Sequence, residues 1–269
     1  MKREYFFNAE VEVTNILDFI KQYFANNGNP DTKAVIGISG GKDSTIAAML
    51  LTKALGANRV IGVMMPDGEQ KDISDARTVC AALGIKAYEI NIKDTCEALF
   101  EGLNKSMFAN SRDRVEDVAV VYTNVPPRVR MSILYGIAGA TGGRVINTSN
   151  RSERYVGYST KYGDLSGDVA LFWDYCVEEV YKIGHEIAKD FPKMPVHLIT
   201  KTPDDGLSGM TDEEKLGFTY EELDDYLLRD IYPEAKVLHN ITIKHHLAEH
   251  KMNLHLRHPS KKSKGDWEF

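Results

Sequence analysis

The chain has 269 residues, of which 43% are hydrophobic and 27% are charged, a composition typical of a globular protein. A formal charge of −6 argues against a general binder of nucleic acids or membrane surfaces, and no segment approaches the ~18 apolar residues of a membrane span. Three isolated cysteines (Cys80, Cys96 and Cys176) and an N-terminus without a signal-peptide-like apolar stretch indicate a reducing, cytoplasmic setting without a structural zinc site.

The first half of the chain predicts a doubly wound α/β fold. Residues 10–24 have the spacing of an amphipathic helix, and its expected apolar face carries Val11, Ile16, Phe19, Ile20 and Tyr23. Strand patterns at 34–38, 59–65 and 86–92 then alternate with helical patterns at 44–55, 72–83 and 94–103. This alternation predicts a mostly parallel sheet of about five strands with helices on both faces. Ligands of such sheets bind beyond the carboxyl ends of the strands.

The second half of the chain has a less regular pattern. Residues 118–122 suit a strand as well as a helix, and Pro126-Pro127 predict the start of a long helix over 128–140. Further predicted elements are a strand at 144–148, helices at 174–189, 219–229 and 233–251, and a short edge strand at 196–199. The stretch from Ser149 to Asp168 predicts a long polar loop with a functional role. The tail from about residue 256 is expected to be loosely held.

A glycine-rich turn joins the first predicted strand to the following helix. Such a turn places unpaired backbone N–H groups at a helix N-terminus, where the helix dipole favours a phosphate group. The spacing from Gly37 to Lys42 is one residue too short for a Walker A loop, and Asp43 stands where that loop has Ser or Thr. The remaining S-G-G-x-D-S pattern, from Ser39 to Ser44, resembles the pyrophosphate loop of the ATP pyrophosphatase superfamily. The structural alternatives are a turn without a ligand and an Asp43 that only caps its helix.

Further motifs make the resemblance more specific. They are Arg128-Val129-Arg130-Met131, residues 148–153, Thr160-Lys161-Tyr162-Gly163-Asp164, Gly167-Asp168, Asp212-Glu213-Glu214, Leu216-Gly217, Asp224-Asp225-Tyr226 and His250-Lys251. With the pyrophosphate loop, and over residues 10–255, they resemble the ammonia-dependent NAD synthetases. The resemblance implies an adenine nucleotide alpha hydrolase-like (Rossmann-like) fold and a ligase of NAD biosynthesis. Such an enzyme uses ATP to adenylate the carboxylate of deamido-NAD, and ammonia then displaces AMP to give NAD.

The resemblance also implies roles for individual residues of this chain. The ATP phosphates would be wrapped by Gly37, Ile38, Ser39, Gly40, Gly41, Lys42, Asp43 and Ser44, and Thr148 would contact the adenosine. Mg²⁺ would be held by Asp43 and Glu153, which with Lys161 form the expected catalytic set. Deamido-NAD would be bound by Arg128, Lys161, Asp168, His250 and Lys251. For His250-Lys251, a solvated helix face is the alternative interpretation.

The chain departs from the family pattern at three positions. Val177 and Asp204 stand where the family often has ATP contacts, and Asp67 stands where a tyrosine is expected. A subfamily variant, weaker ATP binding and a changed substrate are all open interpretations. Competing hypotheses for the whole chain are a GMP-synthetase-like or tRNA-thiolating ATP pyrophosphatase, or a module that senses nucleotides without turnover.

The nitrogen source and the assembly are also expectations from the resemblance. One NAD synthetase domain spans residues 1–269, with no glutaminase domain, so free ammonia is the expected donor. The family is typically a homodimer, and the small residues within 128–140 would allow a second subunit to approach closely. No nucleic-acid or membrane partner is expected.

Overall fold

A parallel sheet with helices on both faces forms the core of the protein in this computed structural model, which describes residues 4–70, 73–108, 113–201 and 211–252. The strands are β1 (Ala34–Gly37), β2 (Val60–Met64), β3 (Lys86–Glu89), β4 (Arg144–Asn147) and β5 (Val169–Ala170). Their order in the sheet is β3-β2-β1-β4-β5, and all pairs are parallel. The doubly wound α/β prediction of about five strands is therefore confirmed. In the described residues no helix is long and apolar enough to cross a bilayer.

The helices of the described residues are numbered in chain order. They are α1 (Ala9–Asn26), α2 (Lys42–Leu55), α3 (Ile73–Leu83), α4 (Lys93–Met107), α5 (Ala119–Thr141), α6 (Arg151–Val156), α7 (Val177–Ile187), α8 (His197–Thr200), α9 (Asp212–Leu216), α10 (Tyr220–Arg229) and α11 (Ala235–Met252). On one face of the sheet, α1, α2 and α7 pack together in the largest apolar cluster, where Ile46 and Leu50 are fully buried. On the other face, α4 and α5 cover Val35 and Val63. A third cluster joins α6, α7 and α9–α11.

The predicted apolar face of α1 is partly wrong. The buried residues are Val13, Ile16, Ile20 and Phe24, whose spacing of three and four residues keeps them on one side of the helix. Val11 and Phe19 were placed on that face, but they are 49% and 45% exposed.

The predicted start of the long helix at Pro126-Pro127 is also wrong, because α5 begins seven residues earlier and continues through both prolines. Each proline removes the helical hydrogen bond to the carbonyl four residues before it, here those of Tyr122 and Thr123. Both residues are exposed at the edge of a cleft, where an open carbonyl is tolerated. The ambiguous stretch at 118–122 is thus mostly helical.

Two further elements differ from the sequence prediction. The segment at 196–199 is not an edge strand but belongs to the short helix α8, which buries the adjacent Leu198 and Ile199. The fifth strand is β5 instead, and it follows directly after Asp168. The predicted polar loop from Ser149 to Asp168 contains α6, because Asn150 and Glu153 form a capping box that starts a helix there.

Candidate active site

A cleft of about 900 Å³ lies beyond the carboxyl ends of β1, β2 and β4. The turn after β1 forms its floor, the N-terminal half of α5 forms one wall, and α6 with the residues that follow it forms the opposite wall. This is the edge of the sheet at which the sequence predicted a ligand.

The turn between β1 and α2 is tight and is held by hydrogen bonds of its own. Gly40 has a φ of +85°, a value that favours glycine, and this residue reverses the chain. The Ser39 N–H donates to Ser44 Oγ at 3.3 Å, and the Gly41 N–H donates to Ser39 Oγ at 3.2 Å. The Ile38 N–H donates to the Val63 carbonyl, so it belongs to the sheet. The first turn of α2 therefore faces the cleft and supplies the N-terminal end of a helix dipole.

The first two residues of α2 form a buried ion pair. Lys42 Nζ lies 2.6 Å from Asp43 Oδ2, and the Lys42 side chain is 2% exposed. Lys42 Nζ also lies 5.3 Å from the centre of the Tyr181 ring. The other carboxylate oxygen, Asp43 Oδ1, is buried without a hydrogen-bond partner among the described residues. One oxygen of Asp43 is thus fixed and the other is open to a ligand.

Glu153 reaches the same cleft from α6. Its Oε2 accepts the Asn150 N–H at 3.2 Å, and its own N–H donates to Asn150 Oδ1 at 3.0 Å. Burial, followed by the negative charge of Asp43, raises the pKa of the Glu153 carboxyl to about 8. The pKa of Glu153 therefore lies well above that of an ordinary glutamate, and a bound divalent cation would favour its ionised form.

A buried carboxylate holds α6 in place. Asp224, on α10, accepts a hydrogen bond from the Ser152 hydroxyl and another, at 2.7 Å, from the Glu178 N–H of α7. The Val177 N–H donates to Ser152 Oγ at 3.1 Å. Asp224 therefore ties α7 and α10 to the helix that carries Glu153, which gives a physical reason for the D-D-Y motif in the sequence.

The T-K-Y-G-D segment is anchored to the end of β4. Asn147 Nδ2 donates to the Asp164 carbonyl at 2.7 Å, and Asp164 Oδ1 accepts the Thr160 N–H at 2.7 Å. A Cβ on Gly163 would lie 2.9 Å from Pro127 Cβ, so the segment packs closely against α5. Thr160 Oγ1 donates to Asn124 Oδ1 of the same helix at 2.6 Å. These contacts fix the backbone on both sides of Lys161.

Three of the residues predicted to bind deamido-NAD form a linked group, which we call the rim group: Arg128, Lys161 and His250. Arg128 Nε donates to the Lys161 carbonyl at 3.2 Å, and Lys161 Nζ donates to the His250 carbonyl at 2.6 Å. Lys251, the next residue, lines the cleft, and its Nζ donates to the carbonyls of Gly157 and Ser159.

Asp168 does not lie with the rim group. Its Oδ2 accepts the Val145 N–H at 2.7 Å, near the beginning of β4 rather than at the carboxyl edge. The Tyr23 hydroxyl donates to the Asp168 carbonyl, and the Tyr135 side chain of α5 contacts the carboxylate. Tyr135 is seven residues, or about 10 Å, along α5 from Arg128. The predicted deamido-NAD residues therefore fall into two groups along one helix.

Several residues that line the cleft were not chosen from the sequence. Arg130 donates to the Met65 carbonyl at 3.0 Å, and the Tyr158 hydroxyl donates to Asp212 Oδ1 at 2.9 Å. Arg130 and Asp212 fall within the motifs quoted above and Lys215 lies between two of them, so these positions could have been found, whereas Lys201 carries no local signal. Among the described residues the lining holds five cations and five carboxylates: Lys42, Arg130, Lys201, Lys215 and Lys251, and Asp43, Asp67, Glu153, Asp164 and Asp212.

The residues present fit a magnesium ion that is shared with a ligand. Asp43 Oδ1 is an unpaired buried oxygen, and Glu153 is a second carboxylate close enough for its pKa to respond to Asp43. The described residues contain no group of three or more His, Cys, Asp or Glu side chains that could hold a metal alone. Oxygen ligands from a phosphate chain would be needed to complete the coordination.

The three departures from the family pattern have different structural settings. Val177 is buried against Val156 and Leu216 and does not line the cleft. Asp67 lines the cleft beside Arg130. Asp204 lies outside the described residues.

Comparison with known proteins agrees on the family. The NAD synthase family model matches residues 12–264. An NH3-dependent NAD+ synthetase of Pyrococcus furiosus is 35% identical over 247 residues, which cover 90% of this chain and 88% of the relative. Among solved structures, an NMN synthetase from Francisella tularensis has a TM-score of 0.82 and 29% identity, with 94% of this chain and 100% of that chain covered. An NAD+ synthetase from Burkholderia pseudomallei has a TM-score of 0.72 and 26% identity, with 93% and 91% covered.

Proposed function

The chain belongs to the NAD synthase family, and we propose that it is an ammonia-dependent NAD synthetase, which amidates deamido-NAD at the expense of ATP in the cleft described above. The observation that carries this proposal is the paired arrangement of Asp43 and Glu153 beside the N-terminus of α2. Two carboxylates beside a phosphate-binding loop suit phosphoryl chemistry with a divalent cation, and a module that only senses a nucleotide has little use for them.

The negative net charge and the three buried, free cysteines disfavour a tRNA-thiolating enzyme. The free thiols also favour a cytoplasmic setting.

The floor of the cleft would bind the triphosphate. The loop from Gly37 to Ser44 presents the amino end of α2 to the phosphates, and Thr148 lies on the neighbouring strand end, where the adenosine would be held. Asp43 and Glu153 would hold Mg²⁺, which when bound supplies neutralisation of the phosphate charge. Arg130, Lys201, Lys215 and Lys251 are placed to attract the remaining negative charge.

The reaction requires that the substrates be oriented toward each other, and it does not require a nucleophile from the protein. The carboxylate oxygen of deamido-NAD attacks the α-phosphorus of ATP, and the bond to pyrophosphate breaks. Ammonia then attacks the acyl carbon, AMP leaves with the bonding electrons, and the nitrogen loses a proton to give the amide. The rim group does not itself line the cleft, but the adjacent residues Pro127, Thr160 and Lys251 do, and the group would place the substrate carboxylate in line with ATP. Lys161 would also stabilise the developing charge.

Product analysis tests the proposed function directly. The protein would be incubated with deamido-NAD, ATP, Mg²⁺ and ammonium chloride, and NAD, AMP and pyrophosphate would be quantified together. Equimolar amounts of the three products are expected. Pyrophosphate release without NAD formation would support ATP pyrophosphatase chemistry but would exclude deamido-NAD as the substrate. An absence of pyrophosphate would contradict both assignments.

Glutamine is expected not to replace ammonium in this assay. The NAD synthase match fills residues 12–264, and the Pyrococcus furiosus relative that is named for ammonia is matched over most of its length. Hydrolysis of glutamine needs a nucleophile of its own, and the three cysteines of this chain are buried. NAD formation would be compared with ammonia-free glutamine and with ammonium at equal concentrations. Comparable rates would contradict the assignment of ammonia as the nitrogen source.

A second candidate substrate is the mononucleotide, nicotinate mononucleotide. The observation in its favour is the Francisella tularensis NMN synthetase, which shares 94% of this chain's length at a TM-score of 0.82. The distribution of the predicted contacts favours the dinucleotide instead, because the rim group and Asp168 are separated by two turns of α5. A dinucleotide is the longer of the two ligands and could span both groups.

Asp168→Asn is expected to distinguish the two substrates. The amide keeps an oxygen for the Val145 N–H, so the fold is retained, but the charge is lost. Loss of a charged hydrogen bond to the substrate should raise KM for deamido-NAD by about tenfold and leave KM for ATP and for the mononucleotide unchanged. Asp174→Asn is the matched control, since that side chain is 88% exposed and lies outside the cleft. An unchanged KM for deamido-NAD would show that Asp168 does not bind the substrate.

A second copy of the chain is proposed to pack against α5. Cβ atoms added at Gly136 and Gly139 would meet nothing within 4 Å, so a neighbouring backbone could approach closely. Tyr135, on the same helix, is 38% exposed beside Asp168. Light scattering with the protein in solution should give twice the mass of one chain, and a monomer would exclude this arrangement.

A further inference from the structure

The ion pair between Lys42 and Asp43 places a full positive charge inside the cleft floor. The Lys42 side chain is 2% exposed, and its Nζ is held between Asp43 Oδ2 at 2.6 Å and the ring of Tyr181 at 5.3 Å. The ammonium group of Lys42 is therefore enclosed between a carboxylate and an aromatic ring at the floor of the cleft.

The stability of α2 does not explain this lysine. Lys42 is the first residue of the helix, where the dipole disfavours a positive charge. Burying an ammonium group is unfavourable in itself, and its removal from water is offset only by close partners. The chain offers a comparison at α4, which also starts with Lys-Asp, because Lys93 and Asp94 are both exposed. Of these two Lys-Asp pairs at helix starts, the one at the cleft is buried and the other is exposed.

The family resemblance implies that Lys42 binds the ATP phosphates, but its position favours another role. Its ammonium group points to the carboxylate and to Tyr181, and the Tyr181 hydroxyl is itself fixed by donating to the Lys201 carbonyl at 2.9 Å. Asp43 Oδ2 is occupied by Lys42, whereas Asp43 Oδ1 is buried without a partner among the described residues. The lysine therefore determines which oxygen of Asp43 is presented.

We propose that Lys42 is a positioning residue, a resident counter-cation that fixes Oδ2 of Asp43, leaves Oδ1 for the divalent cation and stabilises the cleft when that cation is absent. The inference rests on the proposed function only in taking Asp43 as a metal ligand. Lys42 and a divalent cation repel each other but share one carboxylate. In the metal-free protein Lys42 balances the charge of Asp43, so its removal should destabilise that state. In the metal-bound protein Lys42 repels the cation, so its removal should strengthen metal binding. At these short separations, the charge repulsion between Lys42 and the cation is larger than the conformational entropy that an unheld Asp43 side chain would lose on binding the cation.

Lys42→Met tests this role, with Lys93→Met as the matched control at the first position of α4. Thermal unfolding would be followed in a chelator, and binding of Mn²⁺ without any nucleotide would be measured by calorimetry. Lys42→Met should lower Tm in the chelator by about 10 °C, as expected for an unpaired buried charge in a protein of this size. Its dissociation constant for Mn²⁺ should fall by about tenfold, while Lys93→Met changes neither quantity.

The double variant Lys42→Met/Asp43→Asn keeps the test decisive if the single variant does not fold. Without either charge, the buried pair becomes two neutral groups, so Tm in the chelator should lie above that of Asp43→Asn alone, which leaves the lysine unpaired. A metal-free Tm unchanged by Lys42→Met, or an Mn²⁺ affinity that stays constant or weakens, would overturn the proposal. A raised KM for ATP with an unchanged Tm would show instead that Lys42 binds the ATP phosphates. Neither measurement uses deamido-NAD, so the wrong substrate would not affect the outcome.

Discussion

Replacement of Asp43 with asparagine is expected to lower the rate of pyrophosphate release by about 10³-fold or more. The side chain lies at the start of α2 with one buried oxygen that has no hydrogen-bond partner among the described residues, and it is the expected ligand of Mg²⁺. An amide has the same shape but lacks the charge that binds a hard cation. It also leaves the buried Lys42 without its counter-ion. NAD and pyrophosphate formation should fall together, because adenylation precedes the attack of ammonia.

Asp94→Asn is the matched control for this experiment. Asp94 occupies the second position of α4, as Asp43 does in α2, so both substitutions remove a carboxylate from a helix N-terminus. Asp94 is exposed and does not line the cleft, and its replacement should leave turnover within twofold of the parent protein. Turnover by Asp43→Asn at saturating Mg²⁺ near that of Asp94→Asn would refute a metal-binding role for Asp43.

Local chemistry made the floor of the cleft predictable from the sequence. The S-G-G-x-D-S pattern lies between a buried strand and a helix, and its Gly40 adopts the positive φ that the turn requires. Such short-range signals fix both the loop and the place of Asp43. Glu153 could be assigned only through the family resemblance, because the capping box that turns its side chain toward the cleft lay in a stretch that was interpreted as a loop.

Long-range packing could not be inferred in the same way. The helix α5 continues through Pro126-Pro127 where Tyr122 and Thr123, whose carbonyls lose their helical partners, are exposed at the cleft, and no local signal in the sequence indicates that setting. Likewise, Lys161 meets the His250 carbonyl across 89 residues of chain, a contact that depends on where α11 packs. The separation of Asp168 from the rim group follows from the register of β4 and β5, which is set by the whole sheet.

The metal-free protein is expected to lose stability as the pH rises from about 5 to about 8.5, and Glu153→Gln should abolish most of this loss. Burial and the charge of Asp43 raise the pKa of Glu153 to about 8 in the folded protein, against an ordinary value of ~4.3 in an unfolded chain. Between these two values the folded state holds a proton that the unfolded state has released. Folding stability therefore falls as pH rises through this window, by about 3–5 kcal/mol in total.

Glutamine at position 153 keeps the helix cap and removes the titration. The capping box accepts Glu or Gln at its third position, so α6 should remain intact. Unfolding by denaturant would be measured in a chelator across this pH range for the parent protein, Glu153→Gln and Glu222→Gln. Glu222 occupies the same position in the capping box of α10, outside the cleft, so Glu222→Gln should retain the parent pH dependence. Excess Mg²⁺ should flatten the curve of the parent protein, because it stabilises the ionised carboxylate. A stability that does not fall with pH in the metal-free parent protein would show that Glu153 is already ionised at neutral pH.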